Sequence, residues 1–348
     1  MTPQQTVGAH LVGGLRAPDA ESAMRTAAGL LGRHLYAITD GETGERSGWI
    51  GWQLGKLLAL DGVEMRGTHA AAHVDNPDYA EFPALSVASS VTELPPRWLG
   101  YADAAEQSYP IYQRLRAEGA IPDEVKFQVS IPTPFASVVT WVRDEDQEPF
   151  FRVYAAAIDR EIKDIASIVG DDLVLQYDVA VEFGALTLQL PAAGGLGNRE
   201  AVLGTLQDLI SRSPSGVPRG VHLCYGDYKH RHFTVPQDLS LCVEVAGAVA
   251  DRVDFVHMPA DRDTGRDPGY FEPLRDLRVK RLALGVIDYD GDEQRTNELI
   301  EAAITGSGGM EFAVATECGM ARIDERGPGG PSLEQLLELH ARAAAPLR

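Results

Sequence analysis

Short apolar runs alternate along the chain with longer stretches in which apolar positions recur every three or four residues. The first kind suits a buried strand and the second an amphipathic helix, so the alternation predicts repeated βα units around a parallel sheet. Eight units are legible, with predicted strands HLVGGL, YAITDG, VKFQVSIPT, DLVLQYDVAVEFG, GVHLCYGD, DFVHMP, RLALGVID and FAVATECGM. The helices between them begin with one from about Asp19 to Leu35 and the segment GWIGWQLGKLLAL. Another runs from about Asp103 to Glu118, and a long helical region ends at IDREIKDIASIVG. NREAVLGTLQDLISRS, with Asn198 as its expected N-cap, PQDLSLCVEVAGAVADR, a shorter FEPLRDL, DEQRTNELIEAAITG and SLEQLLELHARAAAPL complete the set. Between about Asp61 and Pro96 the period breaks, and VEMRGTHAAAHVD and FPALSVASSV read as an inserted hairpin or loop excursion.

Eight strand–helix units in 348 residues, undivided by any linker or repeat, predict an α/β fold, a single (β/α)8 TIM barrel over residues 1–348 with an insertion after the second βα unit. An open doubly wound sheet is the second architecture this pattern fits. The strand ends favour the barrel. Asp40, Glu42, Asp178, His222, Cys224, His257, Asp288 and Cys318 all fall at the C-terminal ends of predicted strands, where a barrel builds its active site.

Charge narrows the partners. With 31 Lys and Arg against 51 Asp and Glu, the net charge of −20 opposes a surface for nucleic acid or anionic membrane. MTPQQTVGAH has neither a basic nor an apolar leader region, and no apolar run approaches the roughly 18 residues of a membrane span, so a cytoplasmic protein is expected. Three cysteines do not make a secreted disulfide framework. Cys242, in a helical pattern, reads as a buried structural residue; the other two are open to metal or thiol chemistry.

On a strand, residues two apart share a face, so His222-x-Cys224 can present an imidazole and a thiol to one ion. His257 and Cys318 end two later strands of similar make-up. Two His and two Cys form a soft tetrahedral set that selects zinc over magnesium or calcium, although each also fits as a packing residue. Ligands drawn from distant strands suit a catalytic metal, which either activates a substrate thiol or activates water. Glu42 and Asp178 are placed to bind the ammonium of an amino acid, and Asp178 and Asp288 to act as acid or base. The basic loop Lys229-His230-Arg231-His232 follows the proposed ligands and is either a site for a substrate carboxylate or phosphate, held by Lys229 and Arg231, or a solvated loop. His69 and His73 have helix-like spacing in an irregular context, a weaker second metal candidate. Asp290 and Asp292 are expected to cap the next helix.

Taken together, these residues resemble those of the cobalamin-independent methionine synthase family, specifically its C-terminal catalytic barrel, over nearly the whole chain. The likeness extends more loosely to the uroporphyrinogen decarboxylase and coenzyme M methyltransferase relatives. VGGL resembles the family's first-strand segment that meets homocysteine, with Gly14 where the family has a serine. TDGETGER resembles the glycine-glutamate motif, which carries over to Glu42, and IPTPFASVVTWVRDED is similar to the segment near the folate site. QYDVA resembles Gln-x-Asp-Glu-Pro-Ala and gives Asp178 the place of the amino-acid-binding aspartate. HLCYGD matches the His-x-Cys zinc motif, and ATECGMAR resembles the late Cys-Gly motif, so zinc ligation is implied for His222, Cys224 and Cys318. Two positions depart: His257 stands where the family has a ligating glutamate, and Tyr289-Asp290-Gly291 where it has His-Ser-Pro with a catalytic histidine. The resemblance implies a zinc-dependent methyl or alkyl transferase, similar to 5-methyltetrahydropteroyltriglutamate-homocysteine methyltransferase. Its partners would be a small thiol acceptor and an alkyl donor, folate or another molecule. A zinc-dependent lyase or hydrolase acting on a small carboxylate-bearing substrate is the second reading, and a metal-free binding barrel the third.

Overall fold

Apolar strands that are buried on both faces need helices to cover them, and the chain supplies these in sequence. The computed structural model describes residues 5–70, 81–188, 195–226, 232–323 and 329–347. In order come β1 (Thr6–Ala9), α1 (Ala20–Leu31), β2 (Ala37–Thr39) and α2 (Gly51–Leu58). The strands β3 (Val63–Ala70) and β4 (Glu81–Val87) follow, then α3 (Tyr101–Ala117), β5 (Lys126–Pro132), α4 (Pro134–Trp141) and α5 (Asp144–Val169). Next are β6 (Leu173–Val179), α6 (Val181–Leu186), α7 (Arg199–Ser211), β7 (Arg219–Leu223) and α8 (Ser240–Gly247). The last are β8 (Phe255–Pro259), β9 (Leu282–Ile287), α9 (Glu293–Ser307), β10 (Phe312–Thr316) and α10 (Leu333–Ala343).

Eight strands form one parallel sheet in the order β1-β10-β9-β8-β7-β6-β5-β2. A parallel bridge from Ala9 to Leu35, just before β2, brings the two edges together and closes the barrel. β3 and β4 form a separate antiparallel hairpin, the insertion expected after the second βα unit. It is tied to the barrel through Arg143 N–H, which donates to the Leu85 carbonyl at 2.9 Å. Among the described residues, no helix is long and apolar enough to cross a membrane.

Side-chain caps set several helix starts: Asp19 accepts from the Ser22 N–H, Asn198 from Ala201 and Asp292 from Arg295. Ser332 and Gln335 complete a capping box at α10. Asp290 does not cap α9; its carboxylate sits 2.6 Å from Arg262 instead.

Two expected strands are displaced. The first covers Thr6–Ala9, and HLVGGL is the connection after it, folded over the barrel top so that Leu15 N–H donates to the Gly41 carbonyl and Met320 N–H to that of Gly14. Leu11, Val12 and Leu15 are buried there outside any sheet strand, Leu15 making an isolated parallel bridge to Met320, so their apolar signal reflects burial more than strand pairing. In DLVLQYDVAVEFG the strand ends at Val179 and VEFGAL is α6, a break hidden because both halves are buried. The long helical region before β6 is two helices, α4 and α5, separated at Val142 and Arg143.

Candidate metal centre and substrate cleft

Parallel register sets the centre. Asp178 of β6 lies opposite His222 of β7, which lies opposite His257 of β8, so three polar side chains form a row at the C-terminal ends of adjacent strands. Cys224 follows β7 and Cys318 follows β10. Ligand atoms of His222, Cys224 and Cys318 lie within 4.8 Å of one another, with Cys318 Sγ 3.7 Å from His222 Nε2. The two cysteines and the histidine come from β7 and β10, which β8 and β9 separate in the sheet, so the barrel's curvature brings them together.

His257 does not join this group of three, contrary to the expectation of a fourth ligand. Its Nδ1 lies 2.7 Å from His222 Nδ1, and its Nε2 lies 3.1 Å from the Thr316 carbonyl oxygen. A carbonyl only accepts, so His257 carries its proton on Nε2 and accepts at Nδ1. His222 must then be protonated on Nδ1, leaving the Nε2 lone pair facing Cys318. Burial pushes the His222 imidazole down to about 3 and His257 well below the ordinary value, so both rings are neutral. A neutral imidazole with its lone pair directed at two thiols is a soft donor set, and it fits zinc.

Beside the thiols lie two carboxylates. Val12, Gly13, Gly14, Glu42, Trp49, Asp178, His222, Cys224, Cys318 and Arg322 are among the residues lining one cleft at the barrel mouth. Asp178 is fixed by Gln176 Nε2 at 2.9 Å and by the Trp49 indole N–H at 3.2 Å. Burial raises both Glu42 and Asp178 above the usual carboxylate range, and the charge of Asp178 adds to the effect on Glu42. The loop that carries Glu42 is strained: Glu42 has φ 46° and Trp49 φ 53°, a left-handed conformation that non-glycine residues seldom adopt. Gly13 permits the approach of Glu42, because a Cβ there would sit 2.6 Å from Glu42 Oε1.

Asp288 is not part of this cleft. It lies buried behind β9, where Asp290 N–H donates to its Oδ1 and Arg262 and Arg295 stand 3.5 and 3.8 Å from Oδ2. Lys229, Arg231, His230 and His73 lie outside the described residues, and His69 belongs to β3 of the hairpin, not to a helix. Three contributors were given no role from the sequence. His10 hydrogen-bonds Gln176 at 2.9 Å and stacks on His257 at 5.5 Å, Trp49 holds Asp178, and Arg322 lines the cleft. His10 and Trp49 belong to no spacing pattern, whereas Arg322 ends ATECGMAR, the stretch that resembles the late Cys-Gly motif.

No protein-family model matches the sequence, and no curated protein does. Solved structures do match. A B12-independent methionine synthase from Shewanella sp. W3-18-1, in complex with selenomethionine, has a TM-score of 0.55 at 16% identity, over 98% of this chain and 96% of that one. The fold is shared with B12-independent methionine synthases. A candidate vitamin-B12-independent methionine synthase from Listeria monocytogenes gives 0.51 at 16% identity, over 97% and 98% of the two chains. A methyltransferase from Methanosarcina mazei gives 0.54 at 13% identity, over 99% and 94%. The likeness is one of fold, and each comparison spans nearly the whole of both chains.

Proposed function

We propose that the chain is a zinc-dependent methyl or alkyl transferase acting on a small amino-acid thiol, forming one barrel domain over residues 1–348. The observation that carries this reading is the convergence of His222, Cys224 and Cys318 within 4.8 Å at the mouth of a cleft that also holds Glu42 and Asp178. Three protein ligands leave one tetrahedral position for substrate, the arrangement of a catalytic site. A zinc ion held there supplies one thing: it lowers the pKa of a bound thiol, so that a thiolate nucleophile is present at neutral pH.

The remaining work belongs to the protein. His257 accepts from His222 Nδ1 and so keeps the Nε2 lone pair turned toward the thiols. Glu42 and Asp178 receive the substrate ammonium, which removes the repulsion between two buried carboxylates. Arg322, in the same cleft, is placed for the substrate carboxylate. Trp49 and Gln176 fix Asp178, so the ammonium site is held before substrate arrives. The donor is a second small molecule, folate or another alkyl carrier, bound across the mouth. Asp288, enclosed by two arginines, has no part in this scheme.

The test is metal analysis followed by zinc-edge absorption spectroscopy with and without homocysteine. About one zinc per chain that gains a sulfur neighbour on adding the thiol is the expected result, and Cys224→Ser removes the metal. Full zinc occupancy in that variant overturns the site, and zinc that retains only an oxygen neighbour favours the hydrolase or lyase reading.

A further inference from the structure

A second concave site lies in the barrel wall, outside the mouth. Residues of α5 and α7, with the starts of α4 and α6, line a groove of about 320 Å³, at the lower end of the range of small-molecule sites. Phe135, Phe151, Ala155 and Leu206 give it apolar and aromatic walls. Glu182, at the start of α6, also lines it and is 2% exposed. One oxygen of this carboxyl, Oε1, accepts from the Thr133 hydroxyl. The other, Oε2, is buried with no hydrogen-bond partner.

An unmet buried polar oxygen carries a desolvation cost that a leucine or methionine in the same wall would not. Burial pushes the Glu182 carboxyl up to about 7, a rise partly offset by the Thr133 hydroxyl and nearby backbone N–H groups. The groove thus combines apolar and aromatic walls at Phe135 and Phe151 with Arg152, Asp208 and the Arg212–Asp159 ion pair (2.8 Å), and its buried carboxyl is short of one hydrogen-bond donor. A molecule that fits brings an N–H or ammonium on an aromatic or branched-alkyl body. Ammonium is the better match, because it supplies the donor and cancels the buried charge together, and the aromatic walls favour a cation.

We propose that the groove between α5 and α7 is a binding site for an organic ammonium with an aromatic or branched-alkyl body, held by Glu182 Oε2. This site is distinct from the ammonium-binding carboxylates of the mouth, and it is joined to them covalently and by hydrogen bonding. Thr133, the partner of Glu182, caps α4, and its N–H donates to the Asp178 carbonyl at 3.3 Å; Glu182 itself lies four residues beyond Asp178.

Calorimetric titration of the full chain at pH 7.5 with phenethylamine, phenylacetate and 2-phenylethanol tests this. Phenethylamine is expected to bind saturably and at least tenfold more tightly than either analogue. Glu182→Gln should weaken it by tenfold or more, and Ala155→Trp, which fills the groove without touching the carboxyl, should abolish it. Asp178→Asn, which alters the mouth cleft, should leave it unchanged. Near-UV circular dichroism of each variant shows whether it is folded, and Ala155→Trp decides the matter if Glu182→Gln does not fold. Equal affinity for the three probes, no binding of the amine at millimolar concentration, or loss of binding in Asp178→Asn with retention in Ala155→Trp overturns the proposal.

Discussion

His222 Nδ1 and His257 Nδ1 lie 2.7 Å apart across paired positions of β7 and β8. The Thr316 carbonyl at the far side of His257 fixes the direction of that hydrogen bond, and so determines which nitrogen of His222 is free. In the proposed metal centre, the free nitrogen of His222 is thereby set by a residue outside the group of three candidate ligands. His257→Ala is expected to retain about one zinc per chain at saturating zinc while its affinity falls by about 10- to 100-fold. Competition against a chromophoric chelator measures this; loss of stoichiometric binding at saturation would instead make His257 a ligand.

Glu42 and Asp178 are both raised above their unfolded values, so between the two pKa values the folded state holds more protons than the unfolded state. Stability then falls as pH rises through the window above the ordinary carboxylate range. Glu42→Gln removes one of the two charges and should flatten that fall, giving a Tm at pH 8 at least about 2 °C above that of the parent and a smaller gain at pH 5. Differential scanning calorimetry across pH 5–9 checks the sign; a parent whose Tm rises steadily over that range contradicts it.

Acceptor binding should show the opposite trend. An ammonium needs the ionised pair, so affinity for an amino-acid thiol rises with pH until both carboxylates are ionised. Asp178→Asn is expected to raise the acceptor KM by at least about tenfold, the loss of one charge-assisted hydrogen bond of about 1.5–3 kcal/mol, with zinc content unchanged. A variant that loses zinc with the acceptor would place Asp178 in the metal centre.

Asp288 separates structure from chemistry. Its carboxylate is buried near Arg262 and Arg295; removing the charge takes this partner from Arg295, while Arg262 keeps Asp290 at 2.6 Å. Asp288→Asn should cost about 1–3 kcal/mol of stability and leave kcat within about twofold of the parent. A large fall in kcat without loss of stability would restore Asp288 to the catalytic set.

Gly13 offers a steric test of the cleft. A methyl group there would come within 2.6 Å of Glu42 Oε1, so Gly13→Ala should displace the carboxylate and mimic the weaker acceptor binding of a Glu42 variant without changing any charge. Comparison of acceptor KM in the two variants measures how far position matters beyond charge.

Much of this was legible in the sequence, for physical reasons that differ by element. Periodicity located the eight barrel strands because each is a short buried run bounded by polar turns. It misplaced the first, because Leu11, Val12 and Leu15 are as buried as strand residues while lying in a loop across the barrel top. The pairing of His222 with Cys224 in the stretch HLC was visible from its two-residue spacing. The place of His257 was not, since spacing says which face a side chain occupies and not which neighbour claims its nitrogens. Asp288 shows the same limit: a strand-end carboxylate looks alike whether it faces substrate or two arginines. Trp49 and Glu182 carry no local pattern at all, and their roles exist only through partners more than forty residues away in the chain.

The barrel is closed by the bridge from Ala9 to Leu35, whereas the strands that carry His222, Asp178 and His257 are joined by continuous ladders. Residues after β1 and β2, namely Gly13, Gly14 and Glu42, form the substrate side of the cleft on this thinly laced seam. Under the proposed function, the substrate side of the cleft is expected to yield along this seam before the side that carries the candidate metal ligands. In amide hydrogen exchange, the backbone at Ala9 and Leu35 should open before that of Val221 and Val256, and the cleft would widen like a book whose spine is the metal-binding half of the barrel.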